Sequence, residues 1–245
     1  MIDPAQLLPL WIAIIAASIL RSFTGFGFAL AAVPAFSVFL APAQSIILCM
    51  SLVFGSGIQT WPQHHGKIRL KPLLPLFVMA MVGTILGVLL LVRLDTKTFQ
   101  LAIGITTILA CLTLLRYRPK HRVANPALMG GTGLASGFMN GAFGIPGPPI
   151  VVYAMATESD PAVSRAFTLT FFTFSSAMGL VSYSVAGLVS LQSVYLFLLA
   201  YPAMYLGEKF GSRLFLHHGQ ALHRKVALTA LFLIGISVTM KGTLH

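Results

Sequence analysis

The sequence predicts an all-α protein that crosses a membrane several times. Of its 245 residues 57% are apolar and only 9% are charged, whereas soluble domains carry about a quarter charged residues. The basic residues, 16 Lys and Arg against 5 Asp and Glu, lie mostly in short gaps between long apolar runs. Such a basic excess is typical of cytoplasmic loops in membrane proteins. The same pattern argues against a soluble, a disordered or a nucleic-acid-binding protein.

Eight apolar segments approach or exceed the length of a membrane helix, which needs about 20 residues. They cover residues 7–40, 43–62, 70–92, 99–115, 126–156, 162–185, 194–206 and 221–240. The N-terminus has no basic region typical of signal peptides, so we expect the first segment to be retained. Cys49 and Cys111 lie inside apolar runs and are interpreted as small core residues. We therefore expect one integral membrane domain over 1–245.

The first and fifth segments are too long for one helix, and each is interrupted near its middle. The interruptions read TGFGF at 24–28 and GAFGIPGPP at 141–149. Glycine permits unusual backbone dihedral angles and proline removes a hydrogen-bond donor, so both can stop a helix. Non-helical backbone at membrane depth is tolerated only where protein or water covers it. The interruptions therefore predict two broken, re-entrant-like segments beside a site.

The two interruptions occupy matching places in two halves of the chain. When Gly25 is set against Gly144, an offset of 119 residues, Pro42 falls on Pro161. This recurrence predicts a tandem duplication with four hydrophobic segments in each copy. Transporters are commonly built from such repeats and bind substrate near the membrane midplane. The predicted repeats cover residues 5–116 and 125–242.

The charges of the loops favour an inverted arrangement of the repeats. If all eight segments cross once, the basic loop residues divide eight to seven between the two sides. If the first and fifth segments are hairpins, the division becomes twelve to three, which fits the excess of basic residues in cytoplasmic loops. Both termini then face outward, and a parallel eight-span topology is the alternative. The twelve cytoplasmic residues are Lys67, Arg69, Lys71, Arg116, Arg118, Lys120, Arg122, Arg165, Lys209, Arg213, Arg224 and Lys225, and the three outside are Arg93, Lys97 and Lys241.

Arg21 is a full charge well inside an apolar segment. An arginine at the centre of a membrane helix costs about 2.5–3.5 kcal/mol on insertion scales, so a functional role is expected. It precedes the first interruption by three residues, and its partner under the offset is the polar Asn140. Free N–H groups and a guanidinium together suit a sulfonate, sulfite or carboxylate. The alternative is that Arg21 reaches the interface or caps nearby carbonyls.

Small polar residues follow helical spacing in the second and sixth segments, with Ser56 and Gln59 in the first copy and Ser175 in the second. Such residues serve helix packing in many membrane proteins, and the alternative is a polar lining for a substrate path. Gln59 is the largest of them and the best single candidate for substrate contact. The predicted substrate-binding residues are Arg21, Thr24, Gly25, Phe26, Gly27, Ser56, Gln59, Asn140, Gly144, Ile145, Gly147 and Ser175.

The remaining charges are expected to be structural. Glu208, Lys209 and Arg213 form a charge cluster that we expect at the membrane interface, and the alternative for Glu208 is that it takes up a proton. Arg165 is expected to pair with an acidic neighbour such as Glu158 at the membrane surface, and the alternative is that it steers the substrate.

Glycines at four-residue spacing predict close helix approach, and the sequence favours no catalytic or metal site. No nucleophile–base–acid set and no metal-ligand cluster stands out, so neither an enzyme, nor a cofactor, nor a metal is expected. The glycine spacings are Gly83/Gly87, Gly133/Gly137/Gly141 and Gly207/Gly211.

The glycine-rich interruptions resemble the signature of a known family. GFGFALAAVP at 25–34 resembles the GxGGG-xxx-VP motif of the TauE/SafE family of sulfite exporters and related permeases. GIPGPPIVVY at 144–153 is similar to the variant second copy of that motif. Phe28 and Ala29 replace two glycines of the first copy, and prolines interrupt the second. The resemblance covers essentially the whole chain.

The resemblance implies a multi-pass transporter of the bacterial or archaeal plasma membrane for small sulfur-containing or carboxylated anions. Sulfite, sulfoacetate and related organosulfonates are typical substrates of the family. Together with the residues above, it predicts a secondary transporter, an exporter, that binds the anion between the broken segments and moves it by alternating access. An anion channel or a membrane scaffold without transport is the alternative. The expected partners are the anion and the lipid bilayer, without nucleic acid, and a homodimer is one option for the oligomeric state.

Overall fold

The computed structural model describes residues 4–63, 65–68, 71–116 and 125–218. Over these ranges the chain forms nine α-helices and no strand, with three short 3₁₀ turns between the third and fourth helices. The helices are α1 (Pro4–Thr24), α2 (Phe28–Phe36), α3 (Pro42–Thr60), α4 (Leu74–Leu91), α5 (Thr96–Arg116), α6 (Pro126–Phe143), α7 (Gly147–Thr157), α8 (Pro161–Val185) and α9 (Leu191–His218). The predicted segment 221–240 and the loop cations Arg69, Arg118, Lys120, Arg122, Arg224, Lys225 and Lys241 lie outside the described residues.

Four helical stretches are long and apolar enough to cross a membrane. They are Pro42–Thr60, Lys71–Leu91, Thr96–Leu114 and Pro161–Val185. Large apolar side chains on the outer surface of the helix bundle, such as Leu89 and Leu198, are more than half exposed. A broad apolar exterior of this kind suits contact with lipid. The prediction of an all-helical, membrane-spanning protein is confirmed.

The helices end and restart at the glycine-rich interruptions. The backbone adopts positive φ angles at Gly25 (74°), Gly27 (103°) and Gly144 (68°). Residues with a side chain rarely adopt this left-handed conformation, whereas glycine adopts it readily. The local sequence therefore accounts for the ends of α1 and α6 and for the starts of α2 and α7 just beyond.

Helix boundaries recur in the two halves of the chain at a spacing of 119 residues. The spacing holds for the ends of α1 and α6, for the starts of α2 and α7, and for the starts of α3 and α8. The later boundaries differ more. In particular α9 runs on to His218, twelve residues beyond the predicted apolar segment, because charged residues end the apolar run without ending the helix.

Helices α4 and α6 pack closely through glycine. A Cβ atom at Gly137 would overlap the backbone carbonyl of Ala80, and one at Gly141 would overlap that of Thr84. The paired positions advance together, so the two helices run in the same direction. Helices α1 and α9 meet in the same way, with Gly211 against Ser22. The close approach that the glycine spacings predict is thus confirmed.

Helices α3 and α8 cross at the centre of the molecule in opposite directions. Gly57 lies against Thr173, and seven residues earlier Met50 lies against Gly179. Earlier positions in α3 therefore contact later positions in α8, so the two helices are antiparallel. The residues at this contact are buried, and both helices line the space where the two interruptions meet.

Side-chain caps begin three of the helices. The Asn125 side chain accepts a hydrogen bond from the Leu128 N–H at the start of α6, and Asp160 does the same for Ala162 at α8. Asp95 lies just before α5, and hydrogen bonds from the Thr98 side chain and then its N–H lower the pKa of this carboxyl group. These caps fix where the helices enter the bundle.

Substitution of a contact glycine should separate α4 from α6. Gly137→Ala is expected to lower the free energy of unfolding by about 1–3 kcal/mol, because the added methyl group has no room beside Ala80. Gly131→Ala, in the same helix, is the matched control: a Cβ atom there meets nothing within 4 Å. The control should raise stability by at most about 1 kcal/mol through helix propensity. Thermal unfolding in detergent measures both, and equal stability of the two variants would contradict the packing.

Candidate functional site

Arg21 is buried near the end of α1, where it forms an ion pair with a residue of the neighbouring helix α9. Its side chain is 5% exposed, and its Nη1 atom lies 3.4 Å from Glu208 Oε1 on α9. The ion pair lacks hydrogen-bond geometry, and Nη1 has no hydrogen-bond partner among the described residues. A buried guanidinium with an unused donor is a ready binding group for an oxyanion.

Glu208 faces the interior. The Ser56 hydroxyl of α3 donates a hydrogen bond to Glu208 Oε1, and the Ser22 hydroxyl of α1 donates to its backbone carbonyl at 3.4 Å. The expectation that Glu208 belongs to an interfacial charge cluster is therefore wrong. The physical reason is the close contact of α1 with Gly207, which brings the neighbouring residue to Arg21.

A cavity of about 620 Å³ leads to Arg21 from one end of the molecule. Its wall is formed by the ends of α1 and α3, the start of α8 and the second half of α9. Among the described residues its lining carries one carboxylate, that of Glu208. Its cationic lining residues are Arg21, Lys67, Arg165 and Lys209. The excess of three positive charges makes the cavity attractive to anions.

Arg165 lies beside Arg21 in this cavity and contacts the first interruption. Its Nη2 atom donates to the Ser22 carbonyl at 3.2 Å, and a Cβ atom at Gly25 would lie 3.1 Å from its Cγ. The glycine thus makes room for the arginine stem. Sequence reasoning placed Arg165 at the membrane surface near Glu158; the structure adds contact with α1.

The two interruptions meet at a small internal gap of about 20 Å³, which is roughly the room that one water needs. Arg21 lines both this gap and the larger cavity. Helices α2 and α7 both start at the gap, so their first N–H groups lack partners within the helix. Of the predicted site residues, the gap brings together Arg21, Phe26, Gly27, Gly144, Ile145 and Gly147.

Asn140 and Ser175 form a second buried polar cluster. The Asn140 Nδ2 group donates to the Ser175 carbonyl at 2.9 Å. Asn140 Oδ1 and the Ser175 hydroxyl have no hydrogen-bond partner among the described residues. Neither residue is among those that line the gap or the larger cavity. The structure thus joins two of the predicted site residues, Asn140 and Ser175, but not at the spaces that Arg21 lines.

The remaining predicted residues have mixed positions. Gln59 lines the larger cavity and accepts a hydrogen bond from the Tyr201 hydroxyl at 2.8 Å. Thr24 ends α1, and its side chain lies outside the described parts of the structure. Cys49 and Cys111 are buried, as expected of small core residues. In the part of the chain that the structure describes, no group of three His, Cys, Asp or Glu is arranged to hold a metal ion.

Apolar helices long enough to span a membrane, together with a basic cavity between their ends, define a multi-pass membrane protein. The chain belongs to the TauE/SafE family: the family model described as Sulfite exporter TauE/SafE matches residues 10–238. The resemblance of the glycine-rich motifs is thereby confirmed, and the function class of this family is membrane transport of sulfite and related anions rather than catalysis. No curated protein and no solved structure matches the chain.

Gly25 should be needed both for its left-handed backbone conformation and for the room that it leaves to the Arg165 side chain. Gly25→Ala places a methyl group against the Arg165 stem in a left-handed conformation that costs about 1–2 kcal/mol by itself. Gly187→Ala is the matched control, because Gly187 has a similar φ of 72° and open space around it. We expect Gly25→Ala to lower the unfolding temperature more than Gly187→Ala. Equal losses would mean that Arg165 does not pack on this glycine.

Proposed function

We propose that the protein is a secondary transporter that exports small sulfur-containing anions, such as sulfite or an organosulfonate, across the plasma membrane of a bacterium. The observation that carries the proposal is the basic cavity that ends at buried Arg21. A cavity lined with one sign of charge raises the local concentration of the opposite ion. The guanidinium then supplies paired donors that match a planar or pyramidal oxyanion.

The predicted binding site lies where the interruptions meet. Arg21 stands at its entrance, and Arg165 supplies a second positive charge beside it. Helices α2 and α7 both begin at this gap, where the positive ends of their dipoles and the N–H groups of their first turns favour an anion. Pro148 and Pro149 remove two of the donors of α7, so α2 is the richer source. Gln59 and Thr24 are proposed to tune selectivity, whereas Asn140, which lines neither the gap nor the larger cavity, does not belong to the proposed site.

The directions of the helices support two inverted repeats with broken first segments. Helices α3 and α8 are equivalent under the 119-residue offset, yet they run in opposite directions. Equivalent helices that cross a membrane in opposite senses are the mark of an inverted repeat. The parallel alternative would require α3 and α8 to run the same way.

Packing between the halves supports the same symmetry. Gly25 of the first interruption lies against Arg165, and Gly144 of the second lies against Ile46, which is the residue equivalent to Arg165. Likewise α1 packs on α9 while its equivalent α6 packs on α4. Each contact recurs with the two copies exchanged, as a pseudo-two-fold axis requires.

The side on which the cavity opens is the side from which an exporter would load its substrate. Lys67, Arg165 and Lys209 line the cavity and belong to the residues assigned to the cytoplasm by the charge bias. An anion would therefore enter from the cytoplasm. A membrane potential that is negative inside drives one negative charge outward by about 2.3 kcal/mol per 100 mV, so export needs no proton relay.

Passage beyond Arg21 requires movement of one half against the other. The gap between the interruptions has room for about one water. It is therefore too small for sulfite, which has four heavy atoms. Rocking of inverted repeats about a central site would open the gap to the far side while closing the cavity. This supports alternating access over an open channel.

Loss of the Arg21 charge should weaken the binding of sulfite. In purified protein, Arg21→Gln is expected to weaken sulfite binding at least about tenfold, since a charge-assisted hydrogen bond contributes about 1.5–3 kcal/mol. The matched control is Arg213→Gln, an exposed arginine near the end of α9. Isothermal titration with sulfite measures both, and unchanged affinity in a folded Arg21→Gln protein would refute the site.

Sulfite flux into proteoliposomes should follow the saturable kinetics of a carrier. Sulfite uptake is expected to saturate with concentration and to be competed by sulfoacetate. Flux without saturation would favour a channel, and absence of flux with intact folding would favour a scaffold.

The inverted arrangement makes a prediction about accessibility. Single cysteines introduced at Lys67 and Glu158 should react with a membrane-impermeant reagent from the cytoplasmic side only, and one at Arg93 from the outside only. Parallel repeats instead put Lys67 and Glu158 on opposite sides. Labelling in right-side-out and inverted vesicles distinguishes the two, and opposite labelling of Lys67 and Glu158 contradicts the hairpins.

A further inference from the structure

We propose that Glu208 is a built-in competitor of the substrate: its carboxylate holds Arg21 in the place that the transported anion takes during binding. The inference rests on the proposed function, because it concerns the same arginine. It adds a residue that sets affinity and turnover, and one that the sequence patterns assigned to the surface.

The carboxylate of Glu208 binds a guanidinium through the same chemistry as the proposed substrate. A carboxylate and a sulfite or sulfonate group all present oxygen atoms with negative charge to a guanidinium. Glu208 Oε1 lies 3.4 Å from Arg21 Nη1 without hydrogen-bond geometry, so the contact is an ion pair that leaves this donor unused. A better-placed oxyanion would gain the hydrogen bond that Glu208 does not make.

Glu208 is also positioned to move away. It is 16% exposed and lines the larger cavity, whereas Arg21 is 5% exposed behind it. The Ser56 hydroxyl holds the carboxylate from the α3 side and remains available when the carboxylate turns from Arg21. The arriving anion thus meets Glu208 before it reaches the guanidinium.

The charges around the site tolerate both anions at once. The described lining has four cations, including Lys67, Arg165 and Lys209, against the single carboxylate. With Glu208 ionised, a bound monoanion or dianion still leaves the cavity with a positive balance. Displacement therefore requires no proton on Glu208.

The competitor also has a consequence for turnover. A buried arginine without a counter-charge is costly, and breaking a buried pair by removing one partner is strongly destabilising. When substrate has left, Glu208 neutralises Arg21 and lets the substrate-free carrier return. Removal of the carboxylate should therefore tighten binding and slow the return step, which separates its role from that of an ordinary binding residue.

Glu208→Gln tests the inference, because glutamine keeps the acceptor for Ser56 and removes the charge. We expect the Kd for sulfite, measured by isothermal titration, to fall about tenfold or more, in line with release of one charged partner. In proteoliposomes both KM and maximal rate should fall. Glu158→Gln, which removes a carboxylate outside the cavity, is the matched control and should change neither.

The possible results distinguish a failure of the proposed function from a failure of the role given to Glu208. Wild-type protein that does not bind sulfite contradicts the proposed function. Wild-type protein that binds sulfite, with equal or weaker binding by Glu208→Gln, overturns the competitor. If Glu208→Gln does not fold, Glu208→Asp decides: the shorter side chain draws the carboxylate back from Arg21, so the Kd for sulfite should fall about twofold or more, and an unchanged or higher Kd overturns the inference.

Discussion

The burial of one guanidinium governs the arrangement around it. A charge removed from water requires a partner, and breaking such a buried pair costs about 3–5 kcal/mol. Arg21 finds its partner on α9, which approaches α1 closely only because Gly207 and Gly211 lack side chains at the contact. The same approach brings Ser56 of α3 to the carboxylate. Three helices are therefore fixed relative to one another by the need to neutralise one arginine.

Glycine performs two different tasks in this fold. Along the contact between α4 and α6, Gly137 and Gly141 allow backbones to touch, where any side chain would collide with a carbonyl. At the interruptions, Gly25 and Gly144 instead adopt backbone angles that other residues avoid. Packing through glycine gives membrane helices a contact that lipid does not replace, because lipid is as apolar as leucine. The first task holds the helices together, and the second opens backbone N–H groups at the centre.

Local physics made much of this structure predictable from sequence, and long-range packing accounts for the rest. Composition predicts the spanning class, and glycine and proline at 24–28 and 141–149 predict where helices end. The partner of Arg21 was not predicted, because Glu208 lies 187 residues away and its neighbours Lys209 and Arg213 suggest a surface cluster. Only the docking of α1 on α9 shows that Glu208 faces inward. A lone carboxylate within an extended apolar helix was the available signal.

The two proposed repeats differ where charge matters, and the difference bears on how an anion would leave. Under the offset, Asn140 takes the place of Arg21 and Ile46 that of Arg165, so the far-side equivalent of the larger cavity would carry neither arginine, although Arg21 still lines the gap where the halves meet. In the proposed carrier, an anion would meet strong attraction where the cavity opens and less of it on the other face. The membrane potential and not this asymmetry would set the direction of net flux, but low affinity on the exit side would keep the exported anion from binding again. Symmetric backbones with asymmetric charge thus suit a carrier that loads on one side and releases on the other.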